Sequence, residues 1–361
     1  MKVLVVFNHP APYKVHIFNE LSKYVDLTVI FERNRESNRP AKFYSENTYN
    51  FKSIILKTGY VKKDGSISNK VRQYIKKHHS EFDFIVMNGY SHWAEITAIR
   101  YMNKNKIPFI LMINGGIIHY KESKLKRKIK SKLISSASAY ISPSNKSNEY
   151  LLYYGADQNK IYNYPYSNIS ISDILNVAPN KEEIRQKYNL PLDNKIFINA
   201  SQFISRKNNL LLLKMFKNRK DTLLLVGDGP KRSSYKRFIK KNNMHNIIIL
   251  PFKKKGDMFE IFKCCDVFVT LAKEDVYGHT ILEAMANGTP VVASNRVNSA
   301  WEAINEGVNG YIVDILNIGQ INSSLNNALN LKFENITSSV KNYTMEESGK
   351  RIAEILGKIN G

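Results

Sequence analysis

Two carboxylates, Asp275 and Glu283, stand eight positions apart in the segment EDVYGHTILEAMANGTPVVAS, Glu274 to Ser294. Eight residues is about two helical turns, so a helix that begins early puts both acids on one side of a cleft. Carboxylates placed that way accept hydrogen bonds from hydroxyl groups. Between them, Tyr277, Gly278, His279 and Thr280 mark the start of a helix. Unpaired backbone N–H groups and the positive dipole end there suit a diphosphate. The segment reads as an anion cradle beside two hydroxyl-binding acids. Either acid alone fits equally an amphipathic helix whose carboxylates face water ahead of a buried strand; the ordered string points to a ligand site.

Further upstream, ASQFISRKNN follows an apolar strand, with Arg206 and Lys207 opening a helix. A guanidinium and an ammonium at that place neutralise phosphates, including charge that grows as a bond to phosphate breaks. LLLVGDGP ends another strand in a turn where Gly227 and Gly229 serve either a tight βα turn or close backbone approach to a ligand.

The order of these residues resembles the signature of the bacterial family 4 (group 1) retaining glycosyltransferases: acid, aromatic-Gly pair, glutamate, Ala, Gly, Thr-Pro-Val-Val. The usual first acid is Glu; here the spacing assigns Asp275, with Glu274 immediately before it, and the pattern leaves open which of the two reaches the sugar. Arg206 and Lys207 resemble the family's Arg-Lys pair. In relatives the loop at ILPFKKKGDM presents backbone groups to the base, which points to Phe252 and Lys253. The loop NHPAPYK resembles a Pro-Tyr-Arg/Lys variety that borders the acceptor, so His9, Tyr13 and Lys14 fall on the acceptor side, with Lys14 approaching phosphate. Asn114 and Gly115, with Gly116, stand where many relatives carry a histidine near the reacting sugar.

The resemblance implies the GT-B fold: α/β, two Rossmann-like doubly wound parallel-sheet domains facing an interdomain cleft. The expected domains are 1–168 on the acceptor side, 169–343 for the nucleotide sugar, and a last helix, 344–361, crossing back to the first. It further implies a hexosyltransferase-type enzyme using a nucleoside-diphosphate sugar, UDP-linked, on a lipid-linked or oligosaccharide acceptor in surface-polysaccharide synthesis. The resemblance implies retention at the anomeric carbon, and because nothing in the chain reads as Asp-x-Asp, transfer is expected to require no cofactor and no metal. No carboxylate pair is set up for hydrolysis by double displacement. A sugar-nucleotide epimerase or hydrolase on the same scaffold is the alternative.

Residue patterning is consistent with two such domains. Short apolar runs alternate with amphipathic stretches twice over the 361 residues, from Lys2 to Ser142 and again from Lys195 to Val313. The opening apolar run, Val3 to Phe7, is far short of a signal-peptide core or a bilayer span, so a cytoplasmic protein is expected. Cys264 and Cys265, adjacent before an apolar strand, read as packing residues.

A formal charge of +23 draws the chain to polyanions. A basic nucleic-acid-binding protein is a third reading from charge alone, but no recognition module accompanies it, and no specific nucleic-acid partner is expected. From Tyr120 to Ser135, cations including Lys124, Arg127, Lys128 and Lys132 flank Leu125, Ile129 and Leu133 at four-residue intervals. As a helix this pattern fits a surface lying on an anionic membrane, at the inner face of the cell membrane. It fits equally an apolar stripe packed on the sheet with solvated lysines.

Overall fold

The computed structural model describes residues 1–35, 44, 48–56 and 68–360. They form two compact units, 1–168 together with 343–361, and 169–342.

In unit 1 the chain runs β1 (Lys2–Phe7), α1 (Pro12–Leu21), β2 (Asp26–Phe31), β3 (Lys52–Ile55), α2 (Lys70–His78) and β4 (Phe84–Met87). It continues through α3 (Trp93–Lys104), β5 (Ile110–Met112), α4 (Lys124–Ile134), β6 (Ala139–Ser142), α5 (Asn145–Tyr153) and β7 (Ile161–Asn163). The seven strands are parallel in the order β3-β2-β1-β4-β5-β6-β7. Central strands such as β1 and β2 are apolar runs buried on both faces, as a parallel sheet covered by helices requires.

Unit 2 contains α6 (Lys181–Lys187), β8 (Ile196–Ala200), α7 (Asn209–Phe216), β9 (Thr222–Val226), α8 (Arg232–Lys241), β10 (Ile247–Leu250) and α9 (Lys255–Cys264). Then follow β11 (Val267–Thr270), α10 (Thr280–Ala286), β12 (Val291–Ser294), α11 (Asn298–Ala303), β13 (Gly310–Val313), α12 (Ile318–Ala328) and α13 (Phe333–Ser338). Six parallel strands take the order β10-β9-β8-β11-β12-β13. The core between sheet and helices includes Phe197, Phe203, Phe216 and Val269, all fully buried. Cys264 and Cys265 are buried free thiols.

Each order reverses direction at one place, between β1 and β4 and between β8 and β11. There the crossover helices leave for opposite faces, and a crevice opens beyond the carboxyl ends of the two strands. Two edge strands, β3 and β7, lie outside the apolar runs expected to be strands. They are short and mostly exposed or half-buried, so no continuous apolar run marks them.

The last helix, α14 (Met345–Asn360), packs on α1. Ile352, Ile355 and Leu356 are buried, and Ser348 donates to the Pro165 carbonyl. Gly349 lets the helices meet: a Cβ there would stand 2.7 Å from the Leu21 backbone nitrogen. No helix among the described residues is long and apolar enough to cross a membrane. Gly349→Leu should cost about 2–3 kcal/mol by forcing α14 off α1. The expected reading is a lower urea midpoint, with the loss concentrated in amide-exchange protection of α1 and α14.

Candidate functional site

The crevice of unit 2 is built from the segments after β8 and β11. Asn199, at the end of β8, is fully buried and donates from Nδ2 to the Val269 carbonyl of β11 at 2.7 Å. Its Oδ1 accepts from Ser201 Oγ at 2.7 Å, and Ser201 Oγ in turn accepts from Asn209 Nδ2 at 3.1 Å. These bonds tie the strand, the loop after it and the first residue of α7 together. Asn208 sits in the left-handed region at φ 58° and donates to the Leu271 carbonyl at 3.0 Å. Arg206 and Lys207 are therefore not in a helix that they open; they occupy a 3-10 turn, Ser205–Lys207, just ahead of α7.

Asp275 lies opposite them in the loop after β11. The Lys273 N–H donates to the Arg206 carbonyl at 2.8 Å, and Arg206 Nη1 donates to the Glu274 carbonyl at 3.3 Å. Lys207 Nζ pairs with Asp275 Oδ2, while Arg206 Nη1 stands 3.5 Å from Asp275 Oδ1. One carboxylate thus bridges both cations. On its other side the Asp275 N–H donates to the Arg296 carbonyl at 3.0 Å, forming an isolated bridge with Val297.

The expectation that both acids share one early-starting helix is corrected here. Residues 275–279 precede α10, which begins only at Thr280 and has seven residues. Gly278, at φ 95°, lets the chain turn between Asp275 and α10, against Val297 and Ser299. Tyr277 is buried with its ring 4.9 Å from that of His279. Glu283 follows in the first turn of α10, half-buried, its N–H donating to the His279 carbonyl at 3.1 Å.

For the glycine turn the structure supplies a packing reason. Gly227 and Gly229 have φ of 148° and 149°, and a Cβ on Gly227 would land on the Ser201 carbonyl. The Phe203 N–H donates to the Asp228 carbonyl at 2.8 Å, so the turn meets the loop carrying Arg206. Phe252 is 67% exposed, and Lys253 lies over the Tyr188 ring.

In unit 1 the acceptor-side candidates divide. His9 Nδ1 lies 3.2 Å from Tyr44 Oη, and the half-buried Tyr13 packs edge-on to Tyr166. Asn114 Oδ1 accepts from Asn88 Nδ2 at 3.3 Å, and Gly115 takes φ 131°. Lys14 departs from its expected place. It is fully buried in α1, 4.5 Å above the Tyr166 ring, and donates to Tyr164 Oη at 3.3 Å. That leaves no surface from which to approach a phosphate, and burial pushes its pKa down to about 7.

One group among the described residues brings three possible metal-ligand atoms within 4.8 Å of one another: Glu32, His92 and Glu95. Glu95 is already engaged, since its Oε2 accepts the His92 N–H that starts α3 at 2.9 Å.

On α4, Lys124, Arg127, Lys128 and Lys132 are exposed. Leu133 and Ile134 anchor the helix, but Leu125 is 69% and Ile129 40% exposed, so the apolar stripe does not pack along its length. Lys130 turns inward, 2.8 Å from Glu122 Oε2.

Residues 180–346, nearly all of unit 2, match the family described as glycosyl transferases group 1. Unit 2 is a group 1 glycosyl transferase domain. Arg206, Lys207, Asp275 and Glu283 all lie within it.

Among curated proteins, the O-antigen biosynthesis glycosyltransferase WclY of Escherichia coli is 23% identical over 255 residues, 68% of each chain. The N-acetyl-alpha-D-glucosaminyl L-malate synthase of Bacillus anthracis is 26% identical over 137 residues, 37% of this chain. That match spans 35% of the synthase, and two further relatives are matched over 42% and 38% of their lengths. Among solved structures, Anabaena Alr3699/HepE in complex with UDP superposes with TM-score 0.78 at 18% identity, over 99% of this chain and 100% of that one. WaaG, a glycosyltransferase involved in lipopolysaccharide biosynthesis, gives 0.68 at 14% identity, over 98% and 99%. The fold is GT-B: two Rossmann-like units in one chain.

In the transferase domain, sequence reasoning missed Asn199, Asn209 and Ser299, all fully buried, the last donating to the Gly278 carbonyl at 3.0 Å. A polar residue ending an apolar strand, as in IFINA, was the available signal for Asn199.

Lys14 supplies a test of unit 1. Its pKa falls from 10.5 unfolded to about 7 folded, so between those values the unfolded chain holds a proton the folded one has lost. Stability from this group therefore rises with pH across that window, and the full cost is present below pH 7. Lys14→Met should stabilise by a few kcal/mol at pH 6, and the gain should shrink toward pH 10. Denaturant titrations of both proteins at several pH values measure this.

Proposed function

We propose that this chain is a retaining glycosyltransferase that moves a sugar from a nucleoside-diphosphate sugar, UDP-linked, to a lipid-linked or oligosaccharide acceptor in the synthesis of a surface polysaccharide. The observation carrying this reading is the placement of Arg206, Lys207 and Asp275 at the β8–β11 reversal, inside the group 1 domain. Relatives support the substrate class: WclY is named for O-antigen biosynthesis, and HepE has been solved with UDP and with UDP-glucose.

In this mechanism the pyrophosphate lies against Arg206 and Lys207, and Glu283 and the acid at 274–275 take ribose and hexose hydroxyls. As the bond between the anomeric carbon and the phosphate oxygen breaks, charge grows on that phosphate. The two cations stabilise it more than they stabilise the bound donor, which is what accelerates the step. The acceptor oxygen bonds the anomeric carbon on the face the diphosphate leaves, and its proton passes to the departing phosphate oxygen. The cations stand in for a divalent ion, so transfer should proceed in EDTA.

The membrane part of the proposal rests on α4. Exposed Leu125 and Ile129 among Lys124, Arg127 and Lys128 give a helix end that inserts apolar side chains while cations meet anionic headgroups. The acceptor would then reach the enzyme in the membrane plane.

Lys207→Ala and Glu283→Ala should each lower transfer on the order of a hundredfold or more with thermal melting unchanged. Near-normal turnover in both would count decisively against the site. NMR of the product reads the anomeric configuration. Reversing Lys124, Arg127 and Lys128 to Glu should weaken binding to phosphatidylglycerol vesicles by about a hundredfold or more, at about 1 kcal/mol per cation. Vesicle flotation measures this, and unchanged flotation would remove the membrane claim.

A further inference from the structure

The two cations proposed to bind the pyrophosphate are both paired with one carboxylate. Asp275 presents one oxygen to each, Oδ2 to Lys207 Nζ and Oδ1 to Arg206 Nη1 at 3.5 Å. The Asp275 carboxylate is largely buried in this position, as is Lys207. Both loops are held in place independently of the ion pairs. Lys273 N–H to the Arg206 carbonyl, Asn208 to the Leu271 carbonyl and Asp275 N–H to the Arg296 carbonyl fix the backbones on either side. The carboxylate can therefore leave the cations without the loops separating. Glu274, its neighbour in the chain, makes no such pair; its carbonyl, not its carboxylate, meets Arg206.

We infer that Asp275 is an internal counter-ion to Arg206 and Lys207 that the donor's pyrophosphate displaces, and that it keeps the two cations positioned until then. This rests on the reading under Proposed function and deepens it. An incoming pyrophosphate competes with one carboxylate for two cations. The trio leaves a single positive charge uncompensated, so part of the anion's attraction is spent expelling Asp275. A short aspartate suits this role: its carboxylate reaches both cations from the loop backbone. The displaced carboxylate then stands at the edge of the phosphate site, and Glu274 is a second acid within the same loop.

The role predicts opposite effects on binding and turnover. Asp275→Asn keeps the shape and removes the charge, so UDP and inorganic pyrophosphate should bind on the order of tenfold more tightly, as loss of a nearby like charge implies. Uridine, which has no phosphate, should bind unchanged. With the cations no longer held before donor arrival, kcat should fall although KM for the donor falls too. Asp275→Glu retains the charge and should return UDP affinity to near the wild-type value. Isothermal titration with UDP, pyrophosphate and uridine reads the affinities, steady-state transfer assays read kcat and KM, and Asp275→Ser carries the same test should the asparagine variant fold poorly.

Equal or weaker UDP binding by Asp275→Asn, with wild type binding UDP, overturns the counter-ion role and leaves the glycosyltransferase reading standing. Wild type that binds pyrophosphate but no nucleotide, with pyrophosphate tightened in the variant, upholds the counter-ion and overturns the donor assignment. No anion binding to either protein overturns both.

Discussion

A carboxylate shared between two cations holds together the ends of two strands whose connections run away from each other. β8 and β11 are neighbours in the sheet, but the order reverses between them, so the helices that follow pack on different faces. The loops diverge unless something joins them. Here three backbone carbonyls, those of Arg206, Leu271 and Glu274, accept bonds across the gap, and the Asp275 pairs close it. The consequence is chemical as well as structural. Charges held by bonds that do not depend on the ligand need no reorganisation when a new anion arrives, which is the condition under which fixed charges are most effective.

The chain's large positive charge says little by itself, because lysines of the same type meet three different fates. Lys207 is paired and partly buried at the site. Lys14 is enclosed by Phe7, Tyr164 and Tyr166, and burial lowers its pKa to about 7. Lys128 is solvated on α4. Aromatic faces soften the burial of Lys14 but do not supply a counter-charge, so the desolvation cost prevails and the pKa drops. Position decides whether a cation pairs with a carboxylate, is stripped of water or stays in solvent.

The sequence carried the sheets well and the loops poorly, for a reason visible in particular residues. Strands such as VLVV and TLLLV are continuous apolar runs because both faces are covered. The edge strands KSII and IYN lack that cover and so lack the signal. At the site, residue types and spacing were legible, but their local geometry was not. Asp275 sits in a loop bridged to Val297 and Arg206 in a 3-10 turn, because hydrogen bonds from Asn208 and Lys273 to distant carbonyls override helical spacing. Lys14 looked like a loop cation in PYK; the Tyr164 and Tyr166 that enclose it lie some 150 residues away, beyond any local pattern.

Under the proposed function, the short reach of α10 bears on which groups would hold a diphosphate. A helix dipole acts through the unpaired amides of its first turn, and its strength grows with the number of aligned peptides. α10 has seven residues, with Glu283 in its first turn placing a negative charge near the same amides. Its dipole is therefore the weaker partner, and the side-chain cations of the 3-10 turn supply most of the positive potential. Those cations come with Asp275, so the strength of the anion site is set by how firmly one carboxylate holds them. A glycine-rich phosphate loop would leave its amides open between ligands. This domain uses its glycines at 227 and 229 to pack its own loops, and under the proposed function the anion would fall to cations already paired with Asp275.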